Sequence, residues 1–125
     1  MTAAFALVLA ASSAPVAPVT LHGACIYPPA LGQPGADRSF VQCDVAEPDA
    51  DGIEFRQSAW DARFRFDGAW HGNVLRVAAL TPRTGAAVPA RGTCRVSLTD
   101  GRVSWISCHA VVEGRDWVAN FRNSQ

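Results

Sequence analysis

The sequence predicts an all-β domain: a small antiparallel barrel or sandwich of about eight short strands, mostly in up-and-down order, stapled by two disulfides. Three observations carry that prediction. After residue 18, apolar and polar residues alternate in short runs and do not recur at helical spacing. Gly, Pro and Asp break those runs at the intervals of strand-turn-strand chains. The chain holds four cysteines, and an even number in a small domain suggests a disulfide framework.

Residues 1–18, MTAAFALVLAASSAPVAP, open with an unbroken apolar run over 3–11, then small residues, then prolines. This reads as a signal-peptide core followed by a small-residue cleavage zone, although no Lys or Arg precedes it. The run falls short of the ~20 apolar residues a membrane-spanning helix needs. Residues 1–18 are thus a signal-like or disordered segment, and 19–125 a single β-domain expected in the periplasm or outside the cell. The stretch Leu21-His22-Gly23-Ala24-Cys25 departs from a lipoprotein cleavage motif at His22.

Strands are expected near 19–27, 40–46, 53–57, 62–67, 73–80, 91–98, 103–112 and 116–121. Loops are expected over 28–35, 46–52 and 81–89, with a Gly-rich turn over 67–73. Arg63-Phe64-Arg65-Phe66 is a two-faced strand, aromatic inward and cationic outward. An oligonucleotide-binding-type barrel, with fewer and longer strands, is the alternative; the helix it would carry has no counterpart in the pattern.

The cysteine pairing follows from one turn. Asp100-Gly101 joins two alternating runs and is a strong hairpin signal. A hairpin centred there sets Cys94 opposite residues 106–108, with Cys108 on the same buried face. This leaves Cys25–Cys43 as the second bond. Its flanks echo the first: His22-Gly23-Ala24-Cys25 against Arg91-Gly92-Thr93-Cys94, with a Phe following at Phe55 and Phe121. The pattern suggests a degenerate three-strand repeat. No two cysteines lie close enough to form a zinc knuckle.

Eleven arginines balance eleven acids, and lysine is absent. Zero net charge gives no global push toward nucleic acid or an anionic membrane. The charge is nevertheless segregated: 37–54 carries −5 and 56–102 carries +5. Either the two segments neutralise each other when packed, or they leave a dipolar surface that steers a partner.

No catalytic or cofactor motif is present. Glu47, Asp49 and Asp51, followed by Gly52, echo the start of a calcium loop, but Ser58 stands where its bidentate Glu belongs. They are a weak calcium candidate and equally the vocabulary of a turn. Trp105 falls on the face opposite Cys108 and is expected to be partly exposed. With the outward arginines Arg63, Arg65, Arg76 and Arg95 it forms the candidate binding surface for a protein or small-molecule ligand. The leading expectation is a non-enzymatic exported domain that binds a partner or is structural. The alternatives are a small hydrolase using His71 or His109 with an Asp, and an oligonucleotide binder using Arg and Trp.

Overall fold

The computed structural model describes residues 18–27 and 38–124. The signal segment and the 28–35 loop lie outside these, apart from residue 18. Nine strands follow in order: β1 Leu21–Cys25, β2 Arg38–Phe40, β3 Val45–Asp49, β4 Gly52–Gln57, β5 Ala62–His71, β6 Val74–Thr81, β7 Val88–Thr99, β8 Arg102–Val112 and β9 Arg115–Asn123. They make one sheet, ordered β1-β3-β4-β5-β6-β7-β8-β9-β2. β1 also pairs antiparallel with β9, so β1 and β3–β9 close into an eight-stranded antiparallel barrel of meander order. A single 3-10 turn, Ser58–Trp60, is the one helical element among the described residues.

The barrel interior is lined by apolar side chains. Ile53, Phe55, Phe66, Leu75, Cys94, Ile106 and Phe121 are all fully buried. They come from alternate positions on successive strands, as the strand pleat requires. An eight-stranded barrel has an interior just wide enough for such side chains to fill.

Both expected disulfides form. Asp100 and Gly101 take φ of 53° and 78° in the β7–β8 turn, the left-handed pair of a tight hairpin. A bulge between Ser97 and Leu98 then shifts the register, so that Cys94 faces Cys108 with Cα atoms 3.9 Å apart. Cys25 and Cys43 join with Cα atoms 5.0 Å apart, and no described cysteine is free. Cys25 therefore has no thiol left for a lipid. The two echoing units differ in make-up: 91–121 falls on three adjacent strands, β7-β8-β9, whereas 22–55 holds four, because β2 intervenes and pairs with β9. Two disulfides are compatible with an oxidising, periplasmic or extracellular compartment.

Four boundaries differ from expectation, the first being that β7 begins at Val88, inside the loop expected over 81–89. The single strand over 40–46 is two short ones, β2 and β3, separated at 41–44 where the chain crosses from β9 to β1. Residues 46–49 are strand, not loop: Pro48 is buried opposite Ile53, and only Ala50 and Asp51 turn. The Gly-rich stretch over 67–71 is likewise strand. Gly68 sits at a bulge so close to β6 that a Cβ there would lie 1.8 Å from the Arg76 carbonyl oxygen. Glycine here permits close approach; the turn itself is Gly72-Asn73.

Replacing both Cys94 and Cys108 by Ala should lower the unfolding free energy by about 2–5 kcal/mol. The expected readout is a fall in the urea midpoint, with a steeper slope because the unfolded chain is no longer cross-linked. An unchanged midpoint would show that hairpin and core alone hold β7 against β8.

Candidate functional site

The outer surface of the barrel has two electrostatic halves. On β3–β5 the charges interlock. Arg56 meets Glu47 at 3.0 Å and Glu54 at 3.8 Å, and Arg63 meets Glu54 at 3.9 Å. Arg65 grips Asp49 with two nitrogens at 2.9 Å and Asp67 at 2.6 Å. The Arg65 hydrogen bonds, offset in part by burial, hold the Asp49 carboxyl below its ordinary pKa. The acid-rich and Arg-rich segments thus neutralise each other on this side. On β6–β8, by contrast, Arg76, Arg91, Arg95 and Arg102 are exposed and have no side-chain partner among the described residues.

That division sorts the expected binding residues. Arg76, Arg95 and Trp105 share the outer face of β6–β8: Arg76 lies opposite Thr93, Arg95 opposite Ser107, and Trp105 opposite Ser97. Trp105 is 37% exposed, and the Arg122 guanidinium lies 5.9 Å from its ring centre. Arg63 and Arg65 belong instead to the interlocked half, and Arg65 is a structural clamp. Two of the three calcium candidates are spent the same way, Glu47 on Arg56 and Thr20, Asp49 on Arg65 and the Asp51 backbone N–H, while the third, Asp51, is exposed in the β3–β4 turn. No group of three or more ligating side chains occurs among the described residues.

A groove of about 570 Å³ runs along the cationic half, over β7, β8 and β9. Thr93, Arg95, Ser107, His109, Val118 and Asn120 come from the outward positions of these strands. Tyr27 and Phe40 wall it, with ring centres 4.7 Å apart. The Tyr27 hydroxyl donates its one proton to the Val41 carbonyl, lies 3.1 Å from the Val118 carbonyl and accepts from the Asn120 backbone N–H, tying the chain after β1 to the start of the seam. Burial pushes this phenol up to about 12. Ser107 donates to Asn120 Oδ1 at 2.8 Å, while Asn120 Nδ2 donates to the Ile26 carbonyl. At the other end Asp116 Oδ1, buried, is approached by His109 Nε2 at 2.6 Å, off the line of a straight hydrogen bond. Arg38 Nε lies 3.9 Å from Asp116 Oδ2. His71, at the end of β5, makes no ion pair among the described residues.

Tyr27, Phe40 and Asp116 stand outside the residues expected from the sequence. For Asp116 a signal exists. Glu113 and Gly114 take left-handed φ of 51° and 80°, and counting back from that turn sets Asp116 opposite Val111, one diagonal step from His109. Tyr27 and Phe40 flank residues 28–37 and reach the groove only through barrel closure.

A smaller hollow, about 190 Å³, opens at the barrel end between Trp60, Phe64, Trp117 and Arg83. No helix among the described residues is long and apolar enough to cross a membrane. Comparison of the chain with protein-family models, with curated proteins and with solved structures finds no match.

Tyr27 is the one tyrosine of the chain, so ultraviolet titration reads it alone. It should ionise near 12, with stability intact below about pH 10 and lost as pH rises toward that value. Ionisation at the ordinary pH of a free phenol would contradict its burial at the seam. Arg65→Met should cost about 1–3 kcal/mol at neutral pH by stranding Asp49 and Asp67. Because the Asp49 pKa is depressed, that contribution is present above about pH 4 and lost below it. Parent and variant melting curves should therefore converge in acid; a gap that persists there would contradict the clamp.

Proposed function

We propose that the protein is an exported, non-enzymatic binding barrel that takes an anionic partner on the outer face of β6–β9. One observation carries this reading: the strand arginines left without acidic partners are gathered on that face, beside a groove, while the interior is lined by apolar side chains. A surface of this kind attracts anions over about a Debye length and holds them through charge-assisted hydrogen bonds. The two disulfides and the apolar leader support export.

Nucleic acid fits this face less well. Sequence-independent single-strand binding uses several stacking aromatics along a basic track. Among the described residues Trp105 is the one exposed tryptophan on these strands, and Arg122 already covers it.

A second reading, a small hydrolase, has the His109–Asp116 pair in its favour, since a carboxylate can orient an imidazole for proton transfer. The Ser107 hydroxyl, on the same strand face, is held by Asn120 and not by the imidazole. Turnover of p-nitrophenyl esters that His109→Ala abolishes would favour the hydrolase.

The binding reading is tested with a short poly-Glu peptide, with poly-Lys and single-stranded DNA as comparisons. Saturable poly-Glu binding is expected at low ionic strength, weakening as the Debye length falls below about 8 Å. Joint replacement Arg76→Ser and Arg95→Ser should lower the affinity roughly tenfold or more at unchanged melting temperature. Equal binding of poly-Lys, or an unaffected double variant, would overturn it. Retention of DNA above poly-Glu would favour the oligonucleotide-binding barrel.

A further inference from the structure

Most polar groups of the groove over β7–β9 are already engaged with one another. Asn120 Oδ1 takes the Ser107 hydroxyl, and the Asp116 carboxylate lies between His109 and Arg38. The Tyr27 hydroxyl is turned to backbone carbonyls. Asp116 Oδ1 is buried without a hydrogen-bond partner; two donors of the groove, Arg95 and Thr93, have no side-chain partner among the described residues. They stand two residues apart on one strand and therefore on the same outward face. Both can donate, so a ligand lying over this strand has to bring an acceptor to them.

The shape of that acceptor follows from the donors. A guanidinium presents a planar fork that matches a carboxylate with two parallel hydrogen bonds. The neighbouring Asp116 carboxylate disfavours a dianion: with His109 neutral, Arg38, Arg95 and Asp116 together carry one net positive charge. The body of the ligand faces the tilted Tyr27–Phe40 pair and Val118, an apolar wall suited to a ring. A volume of about 570 Å³ lies within the range of small-molecule sites. We propose that this groove binds a small aromatic monocarboxylate, its carboxylate on Arg95 and Thr93 and its ring against Tyr27 and Phe40. The assignment rests on the anionic-partner reading and narrows it to one ligand class.

The test is isothermal titration of the folded protein with 3-phenylpropionate, its neutral amide, and acetate. Saturable binding is expected for 3-phenylpropionate, with the amide and acetate each weaker by roughly ten- to hundredfold. Arg95→Gln should bring 3-phenylpropionate down to the level of the amide, and Phe40→Ala down toward that of acetate. Arg63→Gln, on the interlocked half of the barrel and away from the groove, should leave it unchanged. Thr93→Val provides a second reading of the carboxylate end should Arg95→Gln alter the fold. Equal binding of acid and amide, or an Arg95→Gln variant with parental affinity, overturns the proposal. If poly-Glu still binds through Arg76 and Arg95 while no small acid does, this proposal fails and the anionic-partner reading stands. If neither binds, both fail.

Discussion

Between β9 and β1 the sheet has to meet itself, and it does so with a strand too short to cover its neighbour. β1 has five residues against nine in β9. Its last three pair with the end of β9, and its first two with β3. The rest of the β9 edge is covered by β2, running parallel, from Asp116 to Val118. The seam is therefore a junction of four chain segments, where each strand hands over its hydrogen bonds partway along. Such a junction opens easily unless it is pinned. Cys25–Cys43 pins it from the buried side, and the Tyr27 hydroxyl, bridging Val41 and Val118, pins it from the outer side.

Closure also settles where chemistry can take place. Once eight strands meet in a ring, their inward side chains share one interior, where large residues such as Phe55, Phe66 and Phe121 are fully buried. The charged and polar side chains lie on the outer surface. There the pleat presents every second residue, and charge is distributed strand by strand. The acids of β3 and β4 face the arginines of β4 and β5 at cross-strand distances, where opposite charges stabilise the pair. This pairing depends on order along the chain: the acid-rich segment is followed directly by Arg56, Arg63 and Arg65. The arginines that come later have already lost their acidic neighbours to that ladder.

Much of this was legible in the residues, and the parts that were not have physical causes. The Asp100-Gly101 turn, the cysteine pairing and the outward exposure of Trp105 follow from period-two alternation and one hairpin, both local. The segregated charge was legible too, but its two interpretations could not be separated: the arginines nearest the acids neutralise them, and those farther along do not. What the pattern misses is of two kinds: turn-type residues that sit inside strands, and pairing between segments farther apart. Pro48 and Gly68 read as loop residues. Yet Pro48 is buried opposite Ile53, and Gly68 is the bulge that lets β5 continue. Arg65 read as an outward cation like Arg95; only the return of β3 alongside β4 and β5 brings Asp49 within reach of it. Tyr27 and Phe40 belong to the groove for the same non-local reason.

The groove is itself a product of the seam. Phe40 lies there because β2 must cover the part of β9 that β1 leaves bare. Tyr27 lies there because the chain leaving β1 must be tied to that same edge. Two aromatic rings are thereby set beside the outward face of β7–β9 by the requirement that the barrel close. The hairpins on either side of β8 then bring Thr93, Arg95 and His109 alongside. Stability and recognition therefore draw on overlapping residues. Tyr27 serves closure first, since its hydroxyl is committed to backbone carbonyls and only its ring faces the groove. Arg95 and Thr93 carry no such structural duty among the described residues. A change at Arg95 can thus alter what the groove accepts without loosening the barrel, whereas a change at Tyr27 affects both.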